Sequence, residues 1–179
     1  MKYEFTGKTK VVFGITLKQI RALISFGAIV KGEIGGWIQY EKNLSQVYGN
    51  AWVYGNAQVS GNARVYGDAQ VSGDAQVFGN AQVSGDAQVF GDARVFGDAR
   101  VSGNADFFFA GPIGSRNDQL TVHADAGLGI RWTTGCFSGS EYELTAEITK
   151  THGNNIYAVQ YRAAMALAFL VVKPHKTKA

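Results

Sequence analysis

Between residues 47 and 106 the hydrophobic positions recur with a strict period of six residues. Every repeat carries Val, Gly and Ala at fixed places, and Asn or Asp always follows Gly. Neighbouring side chains of a strand point to opposite sides, so Ala and Val share one side and the residue between them takes the other. We expect Ala and Val to line an interior and Gly-Asn or Gly-Asp to form the corners. The ten units read VYGNAW, VYGNAQ, VSGNAR, VYGDAQ, VSGDAQ, VFGNAQ, VSGDAQ, VFGDAR, VFGDAR and VSGNAD.

This six-residue unit resembles the hexapeptide repeats of left-handed parallel β-helices, in which three units make one triangular coil. The handedness comes from the resemblance, because the spacing alone is compatible with either hand. Ten units give about three and a third coils, roughly 15 Å tall at the usual strand spacing. We expect a mainly β protein: an N-terminal strand and helix cap over residues 1–46, a short left-handed parallel β-helix over 47–106, and a C-terminal α+β module over 107–179.

Positions eighteen residues apart should stack in such a coil. One core column would then consist of Val47, Val65, Val83 and Val101, with the other valines in two further columns. The residue after each Val points outward, and contiguous aromatic surface usually marks an interface. The alternative is that the terminal segments fold back over these rings. The predicted binding aromatics are Tyr48 over Tyr66, Phe78 over Phe96, and Tyr54 and Phe90 on the remaining face.

Acidic corner residues stack in the same way, as Asp68 over Asp86 and Asp74 over Asp92. Their repulsion requires compensation by neighbouring Arg side chains or by a cation such as calcium. The calcium-binding nonapeptide pattern is absent, and one carboxylate per coil makes a poor cage. We therefore interpret them as ordinary corner residues. Since no Cys, His and Asp spacing fits zinc either, the sequence predicts no metal and no cofactor.

The segment before the repeats shows alternating stretches at 2–6 and 10–13, which predict two strands. Apolar residues at helical spacing then predict a short helix from Thr16 to Leu23. Trp37 and Leu44 come just before the first coil, where we expect them to cap the open core, because an uncovered end strand invites edge pairing.

After residue 106 the pattern becomes that of a small α+β module with two or three strands. Strands are predicted over Gln119–His123 and Gly129–Thr134. Ser140 is a favourable N-cap for a helix from Glu141 to His152, which Gly153 should end. A second helix should run from Ile156 to about Val172.

Composition and charge exclude several classes of protein. The net charge is +3, but the repeats carry three basic and six acidic residues, and the longest basic run is the tail 173–178, which we interpret as a solvated end. This pattern argues against nucleic-acid binding, which needs clustered Lys and Arg. The single cysteine excludes an internal disulfide and indicates a reducing compartment. No signal peptide or membrane-spanning run is present, so we expect a cytoplasmic protein.

A second resemblance covers nearly the whole chain. Together with the repeats, the terminal segments look like a family of bacteriophage and prophage proteins often called polymer-forming or hexapeptide-repeat proteins. The resemblance implies a viral accessory protein acting inside a bacterium, and it implies no established activity. The segments that carry it are Lys2–Thr6, Gly14–Ala22, Gly35–Ile38, Asn43–Ser45, Gly114–Asn117, Thr134–Gly139 and Thr151–Gly153.

The enzymatic hypothesis uses Cys136 as nucleophile and His152 as base, with Ser115 or Arg116 contacting an anion or oxyanion. The interpretation we favour is structural. Cys136 would be a small buried residue at a strand end, and His152 would meet the helix dipole in a last turn. Acyltransferases of the β-helix class generally use a loop histidine between coils, which the repeats lack, and no phosphate-cradling loop is present.

The leading hypothesis is a non-enzymatic phage or prophage protein whose solenoid is a scaffold for binding a host macromolecule. The viral context suggests a component of a bacterial defence system as that partner. The second hypothesis is self-assembly into an oligomer or filament through the aromatic faces or the coil ends. The third is a small-ligand binder or hydrolase that uses Arg116, Cys136 and His152.

Overall fold

The structure is a computed structural model that describes residues 1–103, 106–125 and 128–173. The chain forms two compact units, residues 1–103 and residues 104–179. Asn104 and Ala105 of the tenth repeat and the tail beyond Lys173 lie outside the described residues, and so do the predictions made for them. Neither helix in the described part of the chain is long and apolar enough to cross a lipid bilayer.

In the described part of the repeats there are nine two-residue strands, β4 to β12, which pair in parallel in three stacks. Strands eighteen residues apart pair in register, as Gln58 does with Gln76. Each coil donates backbone hydrogen bonds to the next, for example from Gln58 N to Ala75 O at 2.9 Å. The predicted parallel β-helix with three units per coil is confirmed. Its strands are Trp52–Val53, Gln58–Val59, Arg64–Val65, Gln70–Val71, Gln76–Val77, Gln82–Val83, Gln88–Val89, Arg94–Val95 and Arg100–Val101.

The alanines and valines of the repeats form the core of this unit. From Ala51 to Val101 each of them is at most 1% exposed. The prediction is wrong for Val47, which is 71% exposed. Leu44 is 1% exposed and forms a parallel bridge with Val65 in the place assigned to Val47. A 3₁₀ turn brings Leu44 to the coil three residues early, so the segment 45–49 bulges outward.

The corners depend on glycine for two reasons. The corner glycines from Gly49 to Gly97 have φ between +55° and +72°, the left-handed region that glycine adopts without strain. Successive corners also approach closely, because a Cβ on Gly73 would lie 3.0 Å from the N and O atoms of Gly91. Replacement of such a glycine therefore meets a steric barrier as well as an unfavourable φ.

The corner carboxylates are compensated by amides and by lysines of the N-terminal segment. Asn50 Nδ2 donates to Asp68 Oδ1 at 2.8 Å. Burial lowers the pKa of Lys2 and of Lys10, whereas Asp68 and Asp74 raise these two pKa values in turn. Two of the compensating cations are therefore lysine side chains outside the repeats, which the sequence did not suggest.

The N-terminal segment joins the solenoid through one continuous sheet. β1 (Tyr3–Val12) and β2 (Ile15–Ala22) form an antiparallel hairpin, and β3 (Ile34–Ile38) links β2 to β5 of the repeats. The two strands predicted at 2–6 and 10–13 are parts of the single strand β1.

The helix predicted from Thr16 to Leu23 is wrong, because these residues lie in and just after β2. The pairing of β2 with β3 shifts in register between Gln19 and Arg21, and an irregular ladder breaks the strict alternation of a strand. Buried Leu17 and Ile20 consequently have a spacing that also suits one face of a helix.

Trp52, and not Trp37, is the fully buried tryptophan of the segment around the first coil. Trp37 pairs with the outward-facing Gln58, and Lys10 Nζ lies 4.5 Å from its ring centroid, so the predicted capping role of Trp37 is wrong. Trp52 is fully buried, with the rings of Tyr3 and Phe26 at 6.2 and 5.5 Å.

Side-chain donors satisfy carbonyl groups at the N-terminal edge of the coil. Lys2 Nζ donates to Gly49 O at 3.0 Å and lies 4.7 Å from the centroid of the Phe26 ring. Asn43 Nδ2 donates to Ala63 O at 2.8 Å. These groups replace the hydrogen bonds that a preceding coil would otherwise donate.

The C-terminal unit is a four-stranded antiparallel sheet with two helices. The helix predictions are confirmed for α1 (Glu141–His152) and for α2 (Ile156–Val171), with Ser140 as the N-cap of α1 and Gly153 after it. The sheet order is β13–β14–β15–β16, and two of its strands, β13 and β16, were not predicted. The strand bounds are Phe107–Ile113, Asp118–Asp125, Gly129–Thr134 and Phe137–Gly139.

The core of this unit lies between the sheet and the helices. It contains Leu120, Val122 and Trp132 from the strands, together with Leu144 from α1 and Met165 from α2. The buried residues of α1, Leu144 and Ile148, lie four residues apart, and those of α2 recur every three or four residues, so each set lies on one face of its helix.

Candidate functional site

The C-terminal unit contains a pocket of about 290 Å³ between the turns of its sheet and its two helices. The pocket collects the three residues of the enzymatic hypothesis, Arg116, Cys136 and His152, from three separate segments. The other residues that line it are Asp118, Thr134, Gly135, Phe137, Leu144, Glu147, Ile148, Thr151 and Tyr161.

The turn between β13 and β14 positions Arg116 and Asp118. Gly114 has φ +73°, and a Cβ on it would lie 2.6 Å from the hydroxyl oxygen of Tyr161, so only glycine allows this approach to α2. Gly114 N also donates to the side-chain oxygen of Gln160 at 2.9 Å. The turn is therefore anchored on α2, which fixes the start of the following strand at the pocket.

Cys136 lies in the two-residue turn between β15 and β16, closed by the pairing of Thr134 with Phe137. Gly135 has φ +52° at the first turn position, the usual place for glycine in a type II′ hairpin. A Cβ on Gly135 would lie 2.8 Å from Asp118 Oδ2, so the two turns approach each other closely. Cys136 is exposed, and the expectation that it is a buried strand residue is wrong.

His152 is the last residue of α1, as predicted, and its ring faces α2. The ring lies 5.9 Å from that of Tyr161 at an interplanar angle of 19°. Tyr161 is itself buried, and its hydroxyl lies 3.3 Å from Thr134 Oγ1. One turn earlier on α1, Glu147 accepts a hydrogen bond from Thr151 Oγ1 at 3.1 Å.

The pocket offers polar groups suited to binding a ligand, but within the described ranges of the chain it lacks a hydrogen-bonded nucleophile and base. Among the described residues no hydrogen bond joins the Cys136 thiol to the His152 imidazole, so the pair that nucleophilic catalysis requires is not assembled. Arg116 is exposed, and in the described part of the chain it forms no salt bridge. Its guanidinium and the Asp118 carboxylate thus offer donors and an acceptor beside the apolar wall of Phe137.

A buried polar network lies elsewhere in the same sheet. Asp125 is fully buried and accepts hydrogen bonds from Arg131 Nε at 2.8 Å and from Leu128 N at 2.9 Å. His123 is also fully buried, and burial lowers its pKa to about 4. These residues do not line the pocket, and no group of three or more His, Cys, Asp or Glu that could hold a metal ion occurs among the described residues.

The aromatic positions of the solenoid divide between partly covered and exposed rings. Phe78 stacks on Phe96 as predicted, with centroids 4.8 Å apart and an interplanar angle of 8°. Tyr54 is half-buried, and burial, followed by the effect of Glu33, raises its pKa. Phe90 is 43% exposed on the same column as Tyr54.

The predicted stack of Tyr48 on Tyr66 is wrong, since no ring contact joins these two described residues. Tyr48 lies on the outward bulge and is 81% exposed, whereas the Tyr66 hydroxyl donates to Gln82 Oε1 at 3.2 Å. Tyr66 also lines a shallow cavity of about 480 Å³ with Lys42 and Arg64. The eighteen-residue period distributes the six aromatics over three columns of the coil.

Sequence reasoning missed Asp118, Glu147 and Tyr161 as pocket residues. Two of them carried a detectable signal: Asp118 is two residues after Arg116 at a strand start, and Glu147 precedes Thr151 by one helical turn on α1. Tyr161 reaches the pocket only through the packing of α2 on the sheet, which no local pattern indicates.

Comparison with known proteins identifies the repeat region alone. Residues 45–59, 57–73, 69–85 and 87–103 match the model of the YdcK beta solenoid repeat, and these residues make up about a third of the chain. No curated protein matches the chain. The coil geometry and the repeat match together show that residues 45–103 form a β-solenoid built from short sequence repeats.

Proposed function

We propose that this protein is a non-enzymatic binding protein in which the solenoid is the scaffold and the C-terminal unit is the recognition unit. The observation that carries the proposal is the pocket that brings Arg116, Asp118, Cys136 and His152 together. It exposes charged and polar groups to a ligand, while its thiol and imidazole are not hydrogen-bonded to each other. Such a site favours recognition over nucleophilic catalysis.

The recognised group has a definable chemistry. A volume of about 290 Å³ accepts one or two side chains of a protein partner, or a small molecule near the lower limit of typical ligand sites. Arg116 can bind a carboxylate or phosphate oxygen, and Asp118 can accept from an amide or amine. Phe137 and Ile148 provide the apolar surface that orients the group.

The partner is proposed from the sequence of the terminal segments. The resemblance of the terminal segments to phage and prophage proteins supports a host macromolecule as the partner, with a bacterial defence complex as the specific hypothesis. The pocket segments Gly114–Asn117 and Thr134–Gly139 belong to that resemblance. The resemblance is the whole support for the viral context.

Affinity capture with the full chain tests the proposal. The immobilised wild type is compared with Arg116→Ala in the pocket and with the charge-matched control Lys8→Ala, an exposed lysine of β1. A bacterial protein should be retained by the wild type and by Lys8→Ala, and Arg116→Ala should reduce its retention by roughly tenfold or more. Recovery of the chain alone, or equal capture by all three proteins, would count against the proposal.

A second candidate function is binding or hydrolysis of a free small molecule. The exposed Cys136 thiol in an open pocket favours it. A panel of small carboxylates, phosphates and esters, scored by the shift in Tm, tests this alternative. A compound that raises the Tm of the wild type but not of Arg116→Ala would support it, and hydrolysis abolished by Cys136→Ser would show catalysis.

A further inference from the structure

One face of α2 is apolar and uncovered. Ala158, Tyr161, Ala164, Met165 and Ala168 face the core of the C-terminal unit. On the opposite side the exposed fractions are 63% for Ile156, 52% for Val159, 51% for Leu167 and 82% for Leu170, and Ala163 and Ala166 are exposed between them. A helix that is apolar on all sides normally has a partner on each of them.

No charge interrupts this stripe. Arg162 is the only charged residue of α2, and its guanidinium donates to Asn154 Oδ1 at 3.2 Å and to Gly153 O at 3.1 Å, back toward the start of the helix. Gln160, the one amide near the stripe, accepts from Gly114 N. Two copies of the stripe can therefore meet without burying an unpaired charge.

The stripe is symmetric about Ala163. Ile156 and Leu170 lie seven residues to either side of it, and Val159 and Leu167 lie four residues to either side. In an antiparallel pair of such helices, Ile156 meets Leu170 of the second copy and Val159 meets Leu167 of the second copy. Small Ala163 then lies at the centre, where it lets the two helices approach closely. A two-fold interface requires this self-complementarity, whereas an unrelated partner does not.

We propose that α2 pairs with α2 of a second copy of this chain, antiparallel, across a two-fold axis at Ala163. This interface differs from the aromatic faces and coil ends that the sequence suggested for self-assembly. A helix of sixteen residues is roughly 24 Å long, so one helix pair buries less than the usual 800 Å² or so per partner. The dimer should therefore dissociate on dilution.

Sedimentation velocity of the full chain over roughly 1 to 200 µM, the range expected for a small interface, tests the association. The wild type should shift from monomer to dimer with concentration. Ala163→Glu should remain monomeric, and the control Leu128→Glu, which changes an exposed apolar residue of the same unit outside α2, should dimerise like the wild type. A wild type that stays monomeric, or an unaffected Ala163→Glu, would overturn the proposal.

Disulfide cross-linking tests the geometry without a disruptive charge. In a Cys136→Ser background, Ala163→Cys should cross-link to its own copy under mild oxidation. Ile156→Cys alone should not, because two copies of residue 156 would be roughly 21 Å apart along an antiparallel pair. The double variant Ile156→Cys with Leu170→Cys should cross-link again. Equal cross-linking of Ala163→Cys and Ile156→Cys would indicate parallel helices and refute the antiparallel arrangement.

Discussion

Leu44 forms a parallel β-bridge with Val65 and occupies the core position that the six-residue period assigns to Val47. The first coil thus begins with a residue outside the repeat, three residues before the period predicts. A β-solenoid needs an apolar side chain at this place to close the end of its Val column, and the 3₁₀ turn Glu41–Asn43 supplies Leu44 for it. The period identifies the column but not the residue that ends it.

Because Leu44 and not Val47 lies in the core, we expect only the Leu44 side chain to contribute strongly to the free energy of unfolding. Leu44→Ala removes a side chain that is 1% exposed, so it should lower the free energy of unfolding by about 2–5 kcal/mol through lost burial and a residual cavity. Val47→Ala, at 71% exposure, should change it by less than about 0.5 kcal/mol. Urea unfolding followed by tryptophan fluorescence measures both. Equal losses for the two variants would show that Val47 enters the core in solution.

The corner glycines allow the steric and conformational effects of a side chain to be separated. Gly73→Ala places a Cβ 3.0 Å from Gly91, whereas at Gly55 the nearest atom would be 4.0 Å away, and both glycines have positive φ. Gly55→Ala should cost about 1 kcal/mol from φ alone, and Gly73→Ala should cost clearly more. Thermal unfolding of the two variants gives the comparison. If Gly55→Ala lowered the stability more than Gly73→Ala, the close approach of stacked corners would not be the main reason that these positions require glycine.

His123 should make the C-terminal unit sensitive to acid. Burial lowers its pKa from 6.5 to about 4, so below pH 6.5 the unfolded chain binds a proton that the folded chain refuses. The contribution of His123 to stability is complete above pH 6.5 and falls by roughly 3 kcal/mol as the pH drops to 4. Urea unfolding followed at 222 nm reports this unit, because both described helices belong to it.

The matched variant for this measurement is His123→Gln, which cannot titrate. Between pH 6.5 and 4 its free energy of unfolding should fall less steeply than that of the wild type. The difference between the two slopes isolates His123 from the carboxylates, which titrate in both proteins. Identical slopes would mean that His123 is protonated in the folded state or is not buried in solution.

Iodoacetamide should alkylate the Cys136 thiol readily, and His152 should not accelerate the reaction. It is exposed in its turn, and in the described residues it has no hydrogen bond to His152. Iodoacetamide should therefore modify the native chain at a rate within a few-fold of that in urea, and His152→Gln should leave this rate unchanged. Mass spectrometry of the modified protein follows the reaction. A rate at least tenfold higher in the native chain, and lost in His152→Gln, would favour the hydrolase alternative.

The repeat alone was enough to predict the coil. Because Ala and Val alternate with an outward residue and glycine is fixed at every corner, one local rule predicts the strands, corners and core from Ala51 to Val101. Local signals were also sufficient for α1 and α2, where Ser140 accepts from the N–H of Glu143 and Gly153 follows the last turn. In each case the determining contacts lie within a few residues along the chain.

Tertiary structure decided what local patterns could not. The spacing of Leu17 and Ile20 fits a helix or an irregular strand, and pairing of β2 with β1 and β3 selects the strand. Trp52 is buried because Tyr3 and Phe26, from distant parts of the segment before the repeats, pack against it. Burial of this kind depends on which segments meet, and no spacing within one segment contains that information.

In the pocket, too, the sequence indicated some features and the tertiary structure decided others. The sequence identified Arg116, Cys136 and His152 as residues capable of chemistry, because guanidinium, thiol and imidazole groups are recognisable wherever they occur. Only the fold brought them to one cavity and added Asp118 and Tyr161. Only the fold, too, left the thiol without a hydrogen bond to the imidazole. Residue identity thus determined which groups were available, and the packing of two turns against two helices determined their distances, on which any chemistry depends.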